Sequence, residues 1–187
     1  MGIHLDPLIA LLIASGILLL AFYVFARVRS DYCGKGMLTR QVAILQTGFF
    51  VVYATSSYLF LDSRLTVIAS TGITLAIAVT LMIAGFLVVL LSMPFLGGRS
   101  FGTQVGQLYT NGIYRFSRNP QLVGGFLFIV GYVLLWPSCI GFLWAALWLL
   151  ISYLMVRGEE EHLASVFGEE YEQYCERTPR HLGIPRW

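Results

Sequence analysis

Two short stretches of this 187-residue chain carry side chains that can act on a ligand. The first, Gly112-Ile113-Tyr114-Arg115-Phe116-Ser117-Arg118-Asn119-Pro120, gathers two guanidinium groups, two aromatic rings and an amide. An arginine there can hold a ligand carboxylate through two parallel hydrogen bonds. The second, Arg157-Gly158-Glu159-Glu160-Glu161-His162, sets three carboxylates in a row. Successive residues of a helix are about 100° apart, so the three cannot share one face, and at least one turns back toward the protein interior. Arg157 and Glu161, four residues apart, are placed to pair along the helix surface. His162 has no second His or Cys at metal spacing and reads as a solvated helix residue; no metal site is expected. Each stretch also has a plainer reading. Arginine and aromatic side chains gather at headgroup depth, and an acidic run suits a solvated turn.

The elements that position these residues are apolar. Hydrophobic residues make up 57% of the chain and charged residues 12%, outside the soluble range. Crossing about 30 Å of hydrocarbon takes roughly 20 helical residues. Apolar runs of that order predict an all-α integral membrane bundle with transmembrane helices at about 8–26, 41–61, 65–93, 121–136 and 138–157. The last two form a tight hairpin broken at Trp136-Pro137-Ser138, where proline removes a backbone donor. The first run is read as a retained helix rather than a leader, because no Lys or Arg precedes it. The whole of 1–187 reads as one membrane domain.

Five alternating crossings put eleven of the twelve basic residues on one side, which the positive-inside rule makes cytoplasmic. That side holds the two long connections, 94–120 and 157–187, so any site belongs there. The short chain and spare loops suggest a prokaryotic inner membrane. In 94–120 the glycines at 97, 98, 102, 106 and 112 permit close backbone approach to a ligand, or equally an ordinary turn. Beyond the fifth span, Leu163, Val166, Phe167, Tyr171, Tyr174 and Cys175 follow helical spacing between charged residues. They predict an amphipathic helix lying against the cytoplasmic mouth or the headgroups, with Gly168 as a place where it divides. The irregular segment Thr178–Pro185 either covers a cavity or ends the chain. Cys33, Cys139 and Cys175 are too scattered for a zinc site or a disulfide framework. A net charge of +2 gives no basis for nucleic-acid binding.

Taken in order, Gly-x-Tyr-x-x-x-Arg-Asn-Pro, a helical hairpin, Glu-Glu-Glu, Leu163, Phe167-Gly168-Glu169-Glu170-Tyr171-x-x-Tyr174 and Pro179 resemble the isoprenylcysteine carboxyl methyltransferase family. That family sits in a wider group of membrane methyltransferases that includes phospholipid N-methyltransferases. The resemblance covers roughly Leu108 to Pro185. It implies a cytoplasmic pocket for S-adenosylmethionine and a lipophilic small-molecule or lipid-modified acceptor arriving from the membrane lipid. By the same resemblance the cofactor contacts fall on Gly106, Gln107, Leu108, Tyr109, Tyr114, Arg118, Asn119, Pro120 and Leu122. The cofactor glutamate falls among Glu159, Glu160 and Glu161, with ungapped counting from Leu163 favouring Glu159. Arg157 and Arg118 are the candidate catalytic residues, holding the acceptor carboxylate. The chain departs from the family pattern at Asn119 in place of histidine, at Leu122 in place of tyrosine, and at Met155 in place of an acceptor-side arginine. These departures leave three further readings beside carboxyl methylation: N-methylation of a phospholipid or amine, S-methylation of a thiol, and a non-catalytic scaffold that keeps the fold.

Overall fold

The computed structural model describes residues 6–61, 71–96 and 108–184. The turn at residues 62–64, the first residues of the third expected span, the glycines at 97, 98, 102 and 106, and Gln107 lie outside that description. Among the described residues six α-helices follow one another: α1 (Pro7–Lys35), α2 (Arg40–Leu61), α3 (Gly72–Leu96), α4 (Pro120–Leu135), α5 (Cys139–Phe167) and α6 (Glu169–Arg177). A 3-10 turn, Gly112–Arg115, precedes α4. Helices α1, α2, α3 and α5 are long and apolar enough to cross a bilayer, and the chain is an integral membrane protein with an all-α bundle.

The fourth expected span is shorter than the others. Helix α4 has 16 residues, about 24 Å at 1.5 Å per residue. Pro120 fixes its first turn, and the chain leaves helical geometry at Trp136, just before Pro137. Ser138 then caps α5, its hydroxyl accepting from the N–H of Gly141 at 2.9 Å.

Two helices outrun their expected ends. Helix α1 begins on Asp6, whose carboxylate accepts from the Leu8 N–H at 2.7 Å, and runs nine residues past residue 26 before Gly36 closes it with φ 66°. Helix α5 runs ten residues past residue 157, to a break at Gly168 with φ 51°. The reason is the same in both. Charged residues end a hydrophobic run without ending a helix, because Arg, Lys and Glu have good helix propensity in water. From Cys139 to Val156 α5 carries no charge, and that stretch is its span. The three turns from Arg157 to Phe167 stand clear of the hydrocarbon, beside the extension of α1.

Helix α1 presents Ala10, Ala14, Ile17, Ala21, Val24 and Val28 as a buried stripe at alternating spacings of four and three. Its small residues let neighbouring backbones come close, as lipid-embedded helices require in the absence of a hydrophobic drive between them. Helices α3 and α4 are antiparallel and in near-backbone contact. A Cβ added at Gly85 would stand 2.5 Å from the Gly124 carbonyl oxygen, and one at Gly131 would stand 2.6 Å from the Ala78 oxygen. Helices α2 and α5 are joined by Tyr53 and Trp144, stacked at 4.8 Å. The Tyr53 hydroxyl donates to the Trp144 carbonyl at 2.9 Å, and the Trp144 indole N–H donates to Tyr53 O at 3.2 Å.

Candidate functional site

The three consecutive glutamates point to three different places. Glu161 faces α1, where Arg29 Nε reaches it at 2.6 Å, and Arg157 Nε lies 3.7 Å away on its own helix. Glu160 faces the corner before α4, meeting Arg118 Nη1 at 3.1 Å. The same carboxylate takes Arg180 through Nη2 at 2.5 Å and Nε at 3.1 Å. Burial, with the charge of Glu160 beside it, pushes the Glu159 carboxyl up to about 6. Its charge is felt by Tyr114 in the 3-10 turn and Tyr32 on α1, whose phenols burial pushes well above the usual range. Glu159 is thus held between the two walls of the mouth.

The corner is built by local packing. Tyr114 is buried, and its backbone carbonyl accepts from the Tyr174 hydroxyl of α6 at 2.7 Å. The amphipathic tail therefore lies against the mouth of the bundle, with Tyr171 and Tyr174 as its buried face. Asn119 precedes α4 and is buried; its side-chain amide donates to the Arg180 carbonyl at 3.0 Å. Arg118 also approaches Cys175 of α6, Nη1 to Sγ 2.6 Å. Pro120 and Leu122 are buried beneath, and the Trp148 indole of α5 donates to Leu122 O at 3.3 Å. Leu108 is half-buried and Tyr109 exposed, just ahead of the turn.

Of the expected site residues, Tyr114, Arg118, Asn119, Pro120, Glu159 and Glu160 converge. Arg157 does not join Arg118; it is exposed and pairs with Glu161 on the α1 side of α5. His162 is not the solvated residue expected. It stacks on Tyr32 with ring centroids 4.4 Å apart, because α1 continues far enough to cover it, and burial pushes its imidazole below the ordinary range. Sequence reasoning gave no role to Arg29, Tyr32 or Arg180. The first two lay in a stretch read as a connection, and Arg180 in an irregular tail. Pro179 was the one sign that the tail had a fixed course.

Buried polar atoms without a hydrogen-bond partner among the described residues include Arg118 Nε, Gln121 Oε1, Ser152 Oγ and His162 Nδ1. Donors and acceptors left unsatisfied in a buried setting are costly, and a polar ligand would satisfy them. Below this corner lies an apolar cavity of about 400 Å³ lined by residues of α2, α3, α4 and α5, among them Phe50, Ala54, Phe86, Gly125 and Trp148. Gly125 is one turn from Leu122, whose carbonyl accepts from the Trp148 indole, so the cavity begins about one turn of α4 below the buried Leu122.

The profile of the phospholipid methyltransferase family matches residues 73–170, more than half of the chain. The chain belongs to the phospholipid methyltransferase family. The matched segment runs from α3 to the start of α6 and so contains the corner, the cavity floor and the glutamate triplet. The chain is also similar to the protein-S-isoprenylcysteine O-methyltransferase of Schizosaccharomyces pombe, 38% identical over 80 residues, which cover 42% of this chain and 33% of the relative. Its counterpart in Dictyostelium discoideum is 40% identical over 70 residues, 36% of this chain and 29% of the relative. The chain thus aligns with about a third of the length of the curated relatives it matches. No solved structure gives a significant match. Membership of this family implies a methyl donor.

Proposed function

We propose that this protein transfers a methyl group from S-adenosylmethionine to the carboxylate of a lipophilic, prenylcysteine-like acceptor that enters through the bilayer. One observation carries the proposal: an aromatic-lined apolar cavity opens among α2, α3, α4 and α5, and the charged pair Arg118–Glu160 stands at the N-terminal end of α4, the same helix that lines it. An apolar chain fits the cavity and a charged group fits the corner. The names of the two relatives support the same acceptor class.

When bound, S-adenosylmethionine supplies a methyl group activated by its sulfonium charge. The residues of the chain align and enclose. Glu159 holds the donor's amino group or ribose, with Glu160 as its neighbour in the triplet. Tyr114, Arg118, Asn119, Pro120 and Leu122 form the wall opposite, and by the family resemblance Gly106, Gln107, Leu108 and Tyr109 are assigned backbone contacts to the donor, the first two lying outside the described residues. Displacement at a methyl carbon is in-line, so alignment and exclusion of water do most of the work. A carboxylate acceptor is already ionised at neutral pH and needs no base. Arg118 holds that carboxylate, while Arg157, turned to the α1 side of α5, takes no part. The basic residues expected on one side of the bundle support a site at the cytoplasmic face, and the spare loops suit a prokaryotic inner membrane.

Glu159 favours a second reading. A carboxylate raised to about 6 is suited to take a proton from an amine, which N-methylation of a phospholipid requires. Calorimetric titration with S-adenosylmethionine tests the donor, and the absence of binding removes both readings in favour of a scaffold. A radiolabelled methyl-transfer screen over prenylcysteine analogues, phospholipids and thiols then separates the acceptors. Label in the prenylcysteine arm as a base-labile ester is the expected result, and label confined to another arm overturns the carboxylate.

A further inference from the structure

The segment after α6 is laced to the corner before α4 at three points. Arg118 donates its backbone N–H to the Pro179 carbonyl at 3.0 Å, and Gly183 donates its own to Phe116 O at 3.2 Å. Between them the Asn119 amide donates to Arg180 O at 3.0 Å. Gly183 lies so close to Pro179 that a Cβ there would meet the proline ring at 2.8 Å. From this strap Arg180 reaches Glu160 with a two-point grip, and Glu160 holds Arg118 through the same oxygen that Arg180 Nε contacts.

The fork of a guanidinium fixes a carboxylate in orientation as well as position. Without Arg180, the Glu160 carboxylate keeps one partner and regains rotation, and Arg118 loses its fixed seat. Arg118 also carries a buried Nε with no hydrogen-bond partner among the described residues. We propose that Arg180 is a positioning residue for the donor pocket. It locks Glu160, through Glu160 it aims the Arg118 guanidinium, and it leaves Glu159 as the carboxylate of the triplet open to a ligand. The strap 178–184 closes the corner from outside the bilayer. The link to the donor rests on the methyl-transfer reading above; the lock on Glu160 does not.

The full chain in detergent provides the test, through two measurements on the wild type, Arg180→Ala, Arg180→Lys and Gly183→Val. Amide hydrogen exchange at Arg118 and Gly183 reports the strap without any ligand, and calorimetry with S-adenosylmethionine reports the pocket. In Arg180→Ala both amides exchange faster and donor affinity falls about tenfold, the scale of a partly buried charge-assisted pair. Added guanidinium ion restores affinity where equal sodium chloride does not, a response that a merely structural defect would not give. Arg180→Lys, a point charge without the fork, recovers only part of it. Gly183→Val lifts the strap with its charge intact and decides the matter should Arg180→Ala not fold. A folded Arg180→Ala with wild-type exchange and wild-type affinity overturns the proposal. A wild type that takes up no donor removes the methyltransferase reading, and the exchange data alone then uphold or overturn the lock on Glu160.

Discussion

Glu159 ties the acid–base behaviour of the fold to that of the site. A carboxyl raised from 4.5 to about 6 binds its proton more tightly folded than unfolded. Its contribution to stability is therefore present below pH 4.5 and is lost as pH rises through 6. On the proposed function donor binding runs the other way, because a Glu159 that holds the donor's amino group must be ionised. Replacing Glu159 by Gln should weaken S-adenosylmethionine binding about 10- to 100-fold, the loss of a charge-assisted hydrogen bond. The same variant should melt higher than the wild type above pH 6 in the absence of donor. Calorimetry at pH 7.5 and melting curves across about pH 5 to 8 check the two signs, and a variant less stable at every pH removes burial as the source of the shift. Much of this residue-level picture is legible in the sequence, because three adjacent charges on a helix must diverge and one must face inward. Arg180 is not legible. Its partnership with Glu160 spans an irregular tail with no periodicity to announce it.

Helix packing makes a sharper demand than hydrophobicity does. Helices α3 and α4 touch through Gly85, Gly124 and Gly131, where an added carbon would collide with backbone. Gly131→Ala should cost about 1–3 kcal/mol through this overpacking, although alanine is the better helix former. Gly48→Ala in α2 meets nothing within 4 Å and should leave the melting temperature unchanged or slightly raised. Thermal unfolding of the two variants side by side decides whether close approach or propensity governs. At this scale the sequence shows where the apolar runs lie but not where the helices stop. The extensions of α1 and α5 beyond the hydrocarbon are written in residues that suit a solvated helix as well as a loop. What makes them helices is their mutual packing through Arg29, Tyr32, Glu161 and His162.

Across the whole molecule, an apolar cavity opens among four helices while the polar groups gather at one end. Ala54 lines that cavity from α2, away from the corner. Ala54→Phe should therefore raise the KM for a lipophilic acceptor several-fold and leave donor affinity as it is, since filling a pocket removes contact area from one ligand only. Steady-state kinetics with varied acceptor, beside donor calorimetry, separate the two; an equal loss in both would mean the cavity and the corner are one site. The family match begins at α3, yet Arg29 and Tyr32 of α1 wall the same mouth. The end of the glutamate run in the matched segment is thus partnered by a helix outside it.

One turn of α5 serves three directions at once, and this gives the helix a strict phase. Inserting or deleting a single residue between Ser138 and Glu159 would rotate the triplet by about 100° and hand each carboxylate its neighbour's partner. The count of residues from the cap to the acids is set by angular register as firmly as by the thickness of the lipid it crosses.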